Sequence, residues 1–185
     1  MQGDQDVPNL EPIVQKLAAT RHQLLRAADL VPTGHWRTRP GDDRWSACEL
    51  IAHLTTVERF ILQSADRHSQ KRPKEWPFYR RFHVPFVVVE KRWIRRKSPI
   101  PVDPESLRDK EEMLAMLREV RERTLAFMDE TKGRDLSAYR WPHPFIGTLN
   151  LYEWLLFVGS HEIRHTKQML EIATNLPKSV ASLHN

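Results

Sequence analysis

The chain has 185 residues, of which 40% are hydrophobic and only 6 are glycine, a composition that favours helices and fits one domain spanning 1–185. No segment approaches the roughly 18 uninterrupted apolar residues of a membrane span, so no membrane partner is expected. The opening Met1-Gln2-Gly3-Asp4 lacks the charged head and apolar run of a secretory signal, and Cys48 is the single cysteine, which together predict a cytoplasmic protein without an internal disulfide.

The first predicted helix runs from about Asn9 to Asp29, with Leu10, Ile13, Leu17, Leu24 and Ala28 on one face and Pro12 tolerated in its first turn. After a loop with Pro32, Gly34, Pro40 and Gly41, Ser46 followed by Glu49 reads as a capping box that starts helix two sharply. Leu50, Leu54, Val57 and Ile61 form its buried stripe. From Pro73 to Pro104 the helical period is lost, and the stretch is read as an insertion with a short helix beginning near Pro85. The run Val87-Val88-Val89 is equally compatible with a strand.

Helix three is predicted over about Glu105–Thr131, with Leu107, Leu114, Leu117, Thr124 and Met128 inward and Gly133 as its stop signal. The segment Trp141 to Gly147 reads as stiff loop. Asn150 and Glu153 repeat the capping pattern, and helix four continues to about Thr174, before Pro177. Four long helices and a long, irregular or short-helical insertion between the second and third predict an all-α, antiparallel four-helix bundle.

The net charge of +5 raises the question of nucleic acid, because much of the excess falls in Arg67 to Lys97, where basic residues alternate with Trp76, Phe78, Tyr79, Phe82 and Trp93. Surface charge more commonly forms a solvated rim around a few buried aromatics, so nucleic-acid binding through 67–97 is kept only as a minor alternative.

Helix four contains His161-Glu162-Ile163-Arg164-His165, whose spacing sends both imidazoles from one face. That face is the inward one, since Leu151, Trp154, Val158, His161, His165, Gln168 and Ile172 share the core-facing period. His53 lies among Leu50, Leu54 and Val57 on the apolar side of helix two, so a third imidazole is available. Three buried neutral imidazoles leave lone pairs without donors, at about 1–3 kcal/mol for each stranded polar group. A divalent cation removes that cost, and three nitrogens with an open position suit reactive zinc, while nickel and iron(II) also accept imidazole.

The stretch Trp45-Ser46-Ala47-Cys48-Glu49-Leu50-Ile51-Ala52-His53-Leu54, with His143-Pro144-Phe145-Ile146-Gly147 and Glu153 to Phe157 leading to His161 and His165, resembles the DinB-like (DinB/YfiT) superfamily of metal-binding four-helix bundles. The resemblance covers essentially the whole chain except about Arg67 to Pro104. It implies a bundle that is commonly dimeric, with a metal held at His53, His161 and His165. Some relatives are metal-dependent transferases or isomerases that use thiols such as bacillithiol or mycothiol, some are hydrolases, and many have no assigned activity. The family name records damage-inducible expression and gives no support for DNA binding.

These readings predict a metal-dependent enzyme acting on a small molecule, either a thiol S-transferase or a related hydrolase. The alternative is a non-catalytic binding or structural protein stapled by its ion. Glu49, one turn before His53, is a candidate acceptor for the second ring N–H of that histidine, against its capping role. Arg164 is a candidate for binding an anionic substrate group, against a surface salt bridge. Gln168 is a candidate for orienting His165, whereas His143 is read as loop and Cys48 as a small buried filler.

Overall fold

The computed structural model describes residues 8–91 and 101–176. It is built on four long helices, α1 (Glu11–Asp29), α2 (Ala47–Ser69), α4 (Lys110–Glu130) and α5 (Leu151–Asn175), with a short α3 (Phe86–Glu90) between the second and third of them. A two-stranded hairpin, β1 (Arg140–His143) and β2 (Gly147–Asn150), precedes α5. The all-α bundle is therefore the observed architecture. Trp93 and the basic residues from Arg92 to Lys97 lie outside the described residues.

The starts of α2, α4 and α5 are set by side chains that accept otherwise orphaned backbone N–H groups. Ser46 and Glu49 form the predicted capping box in both directions, and Asn150 and Glu153 form a second complete one. The third long helix starts later than predicted. Asp109 accepts from the Glu112 N–H at 2.9 Å and caps α4, while Pro104–Ser106 forms a separate 3-10 turn followed by an extended Leu107. Around Val87–Val89 the helical reading holds: Pro85 precedes the first turn, and the Lys91 N–H closes it onto the Val87 carbonyl at 3.1 Å.

The segment read as stiff loop is instead the hairpin, with Arg140 opposite Asn150 and His143 opposite Gly147. A three-residue turn suffices because Gly147 adopts φ +105°, a conformation that L side chains rarely accept. A Cβ there would also come within 2.6 Å of the Phe82 carbonyl oxygen, because residues 82–84 run along the hairpin and Val84 donates to Ile146 at 2.8 Å.

Cross-helix contacts fix the direction of each helix. Lys16 and Arg21 of α1 meet Ser160 and Glu162 of α5, so these two run parallel. Cys48, Glu58 and Ser69 of α2 meet Arg108, Arg121 and Arg134, so α2 and α4 are parallel as well. The two pairs oppose one another. A 23-residue helix is about 35 Å long, so the chain must travel that distance back before α4 can start beside the beginning of α2. The insertion is thus the crossover that this topology requires.

The interior divides into two apolar halves. One contains Ile13, Leu17, Val57, Ile61 and Leu151 at the hairpin end; the other contains Leu24, Leu50, Leu114, Leu117 and Ile172 at the opposite end. Between them lies a layer of charge that the sequence reading missed. Arg21 bonds Glu58 and Glu162 at 2.6 Å each, and Arg121 reaches Glu58 at 2.7 Å and Glu162 at 3.1 Å. Thr20 donates to Glu162 at 2.6 Å and Thr124 to Glu58 at 2.9 Å. The guanidiniums also donate to the carbonyls of Leu117 and Leu17. All four charged residues are at most 6% exposed, so the layer is neutral only as a set, and each long helix supplies one member.

Candidate metal centre

His53 projects from the second turn of α2, and His161 and His165 from the middle of α5, where the antiparallel α2 and α5 bring them to one level. The Nε2 atoms of His53 and His161 are 3.3 Å apart, and those of His161 and His165 are 3.0 Å apart. One ligand atom from each of the three lies within 4.8 Å of the others. Trp45 covers the cluster, with ring centroids 4.8 Å from His53 and 6.1 Å from His165, and Phe157 stacks on His161 at 5.2 Å.

This arrangement can be tested against the demands of an ion. His161 Nε2 has two imidazole nitrogens as neighbours but carries at most one proton, so it cannot donate to both. Tetrahedral bonds of 2.0–2.1 Å place two ligand nitrogens about 3.3 Å apart, close to the two separations at His161. The outer ring nitrogen of His165 lies 3.0 Å from Gln168 Oε1; donation of an Nδ1–H there leaves the Nε2 lone pair free. Two of the three separations thus match those around one divalent cation, and the third lies within 4.8 Å.

Electrostatics agree with that fit. Burial pushes His53 down to about 4, and burial together with neighbouring His165, His53, His143 and Arg164 holds His161 well below the usual histidine value. In the metal-free protein both rings stay neutral, which is the form that binds metal. The unfolded chain takes up a proton on His53 near pH 6.5, and the folded chain only near 4. Stability is thus fully present above about pH 6.5 and declines as pH falls towards 4, by about 3 kcal/mol from His53 alone. Urea midpoints of the metal-free protein at pH 7 and pH 4.5 check this, and equal midpoints would contradict it.

The supporting residues fall out unevenly. Gln168 sits where expected, on His165. Glu49 does not serve His53: its carboxylate accepts from Ser46 N–H at 2.8 Å, from Ser46 Oγ and from Arg39 Nε at 2.9 Å, so the capping role is the one realised. His53 Nδ1 is buried without a hydrogen-bond partner. Arg164 donates to the Val89 carbonyl at 3.1 Å, clasping the end of α3 with Lys167, which donates to Glu90 O at 2.8 Å. Cys48 is the buried filler expected, its thiol pKa raised chiefly by burial.

His143 needs correcting from loop to part of the site's wall. It ends β1, accepts the Phe145 N–H on Nδ1 at 3.1 Å, and packs edge-on against Phe157 at 4.6 Å, so a single aromatic ring separates it from His161. Burial pushes its pKa down to about 4. The hairpin that carries it gave only a weak sequence signal, four residues a side with Pro142 in one strand.

A helical bundle with three imidazoles gathered between α2 and α5 is the class of protein that fold and site define. The family description "DinB superfamily" matches residues 16–169, which include all three histidines and the whole charge layer, and the chain belongs to that superfamily. It is also similar to a Bacillus subtilis (strain 168) protein described as "Uncharacterized protein YuaE", at 28% identity over 142 residues, 76% of this chain and 85% of the relative. No solved structure matches it.

Proposed function

We propose that His53, His161 and His165 hold one divalent ion, zinc, nickel or iron(II), and that the protein is a metal-dependent enzyme joining a low-molecular-weight thiol of the bacillithiol or mycothiol kind to a small electrophilic substrate. The observation that carries this reading is the convergence of three Nε2 atoms that cannot satisfy one another by hydrogen bonds. When bound, such an ion supplies Lewis acidity that makes a thiol, or water in a related hydrolase, nucleophilic near neutral pH. Gln168 holds His165 in the ligating tautomer, and Trp45 and Phe157 shield two sides of the cluster from water. The choice of the thiol route rests on the family resemblance, as does a homodimer; a cytoplasmic location rests on the single cysteine, Cys48, which suits a reducing compartment.

A second reading, in which the ion only staples the bundle, has one observation in its favour. The gap beside His161, lined by Leu54, Val57, Glu58, Val158 and Glu162, has no room for a water molecule. The two readings separate in one assay. Metal-loaded protein is mixed with a thiol and a chromogenic aryl halide, and thioether formation is followed. A thiol-dependent rate that falls to background in His53→Ala is expected, whereas an ion held with no turnover for any thiol tried would favour the staple.

A further inference from the structure

The start of the crossover carries a surface that the metal site does not use. Phe78, Tyr79 and Phe82 are 73%, 71% and 64% exposed, so three aromatic rings within five residues leave most of their area in water. Val84 and Val87 beside them are exposed as well. Lys71, Arg72 and Lys74 precede these rings in the chain and Arg80 and Arg81 lie among them; all five are exposed, and among the described residues none pairs with a carboxylate. Residues 67–97 hold eleven basic and two acidic side chains, a net +9 in a chain whose total is +5, so the rest of the protein sums to −4. The positive charge is concentrated on this one segment.

The surface is also held in place. Phe78–Arg80 forms a 3-10 turn, closed by the Arg80 N–H onto Pro77 at 2.9 Å. His83 stacks on Phe86 at 4.8 Å and bridges to Gly147 of the hairpin. The aromatic side chains are therefore presented to solvent by an anchored turn.

We propose that this face adsorbs to an anionic lipid surface, with the Phe78, Tyr79 and Phe82 rings entering the headgroup region and the lysines and arginines of the same stretch meeting the lipid phosphates. Adsorption of this kind needs no membrane-crossing helix; among the described residues none is long and apolar enough to cross. Exposed apolar rings in the same stretch as cations that no carboxylate neutralises match the two attractions that an anionic interface offers, apolar burial and surface charge. Nucleic acid would answer the charge equally well but the apolar part poorly. Phe78 and Phe82 lie edge to face at 86°, not as parallel platforms for successive bases, and Val84 and Val87 offer aliphatic surface that base stacking does not require.

Co-sedimentation of the full chain with vesicles tests the proposal. The protein is expected to pellet with phosphatidylglycerol-rich vesicles, to be released by high salt, and to ignore pure phosphatidylcholine. Arg80→Gln with Arg81→Gln is expected to weaken binding roughly thirtyfold, and Phe78→Ser with Phe82→Ser to lose it, with helical circular dichroism and metal content unchanged in both. Absence of vesicle binding, equal binding to the two lipids, or vesicle binding that both double variants keep would overturn the proposal. Retention on a single-stranded oligonucleotide without vesicle binding would overturn it too and assign the face to nucleic acid.

Discussion

Glu58→Ala is expected to destabilise the bundle by about 3–5 kcal/mol, because it leaves Arg21 and Arg121 buried with only Glu162 between them. A loss of that size is a large part of the about 5–15 kcal/mol that holds an ordinary domain folded. The cost comes from the uncompensated cation more than from the lost contacts: burial opposes the charge on Arg121, and only Glu162 and Glu58 turn its pKa upward. Removing one charge of each sign, Glu58→Leu with Arg121→Leu, keeps the layer neutral and is expected to cost less than Glu58→Ala alone. Urea midpoints of the three proteins decide it. A double variant as unstable as the single one would place the cost in the lost contacts, and a single variant that loses less than about 1 kcal/mol would mean that solvent reaches these charges.

The layer also bears on the site. Glu162 follows His161 directly and Glu58 lies five residues beyond His53, so the ion pairs that join α1, α2, α4 and α5 tie together the stretches of α2 and α5 that carry the imidazoles. Metal affinity is expected to weaken in Glu58→Ala even where the fold survives.

The second large effect concerns the ion. Free zinc at a thousand times its dissociation constant stabilises the protein that binds it by about 4 kcal/mol, which for a chain of this size raises the melting temperature by roughly 8–16 °C. That shift is expected in the wild-type protein and absent in His161→Ala, whose own metal-free melting temperature changes little or rises, since an imidazole crowded by two others is removed. Thermal scans with and without zinc after exhaustive chelation measure it. A shift of the same size in His161→Ala would place the binding elsewhere.

The four long helices were legible because each has a strong start signal or a sustained apolar stripe: Ser46 with Glu49, Asn150 with Glu153, and Leu17, Leu24 and Ala28 on α1. The histidines were legible for the same reason, since His53, His161 and His165 stand at positions where a stripe demands apolar residues. By that logic the charge layer could also have been found. Arg21 is four residues after Leu17, Arg121 four after Leu117, Glu58 four after Leu54 and Glu162 four after Val158, so each long helix carries a charge one turn past an apolar stripe residue, two of each sign. The balance appears only when the four helices are read together.

Less was available from the connections. The parallel course of α2 and α4 follows from contacts between residues 60 or more apart in sequence, which no local pattern records. The hairpin depends on a positive φ at Gly147 and on residues 82–84 lying alongside it, and neither is visible in a stretch containing Pro142 and Pro144. Glu49 satisfies two motifs at once, a capping box and an i,i+4 neighbour of His53; Arg39, supplied by the preceding loop, settles which one it serves.

The most direct test is the metal content of the protein purified with zinc, nickel and iron available, beside His53→Ala, His161→Ala and His165→Ala. One ion per chain in the wild type and its loss from all three variants is the expected result. A wild-type protein that emerges free of metal, or variants that keep a full complement, would contradict the account.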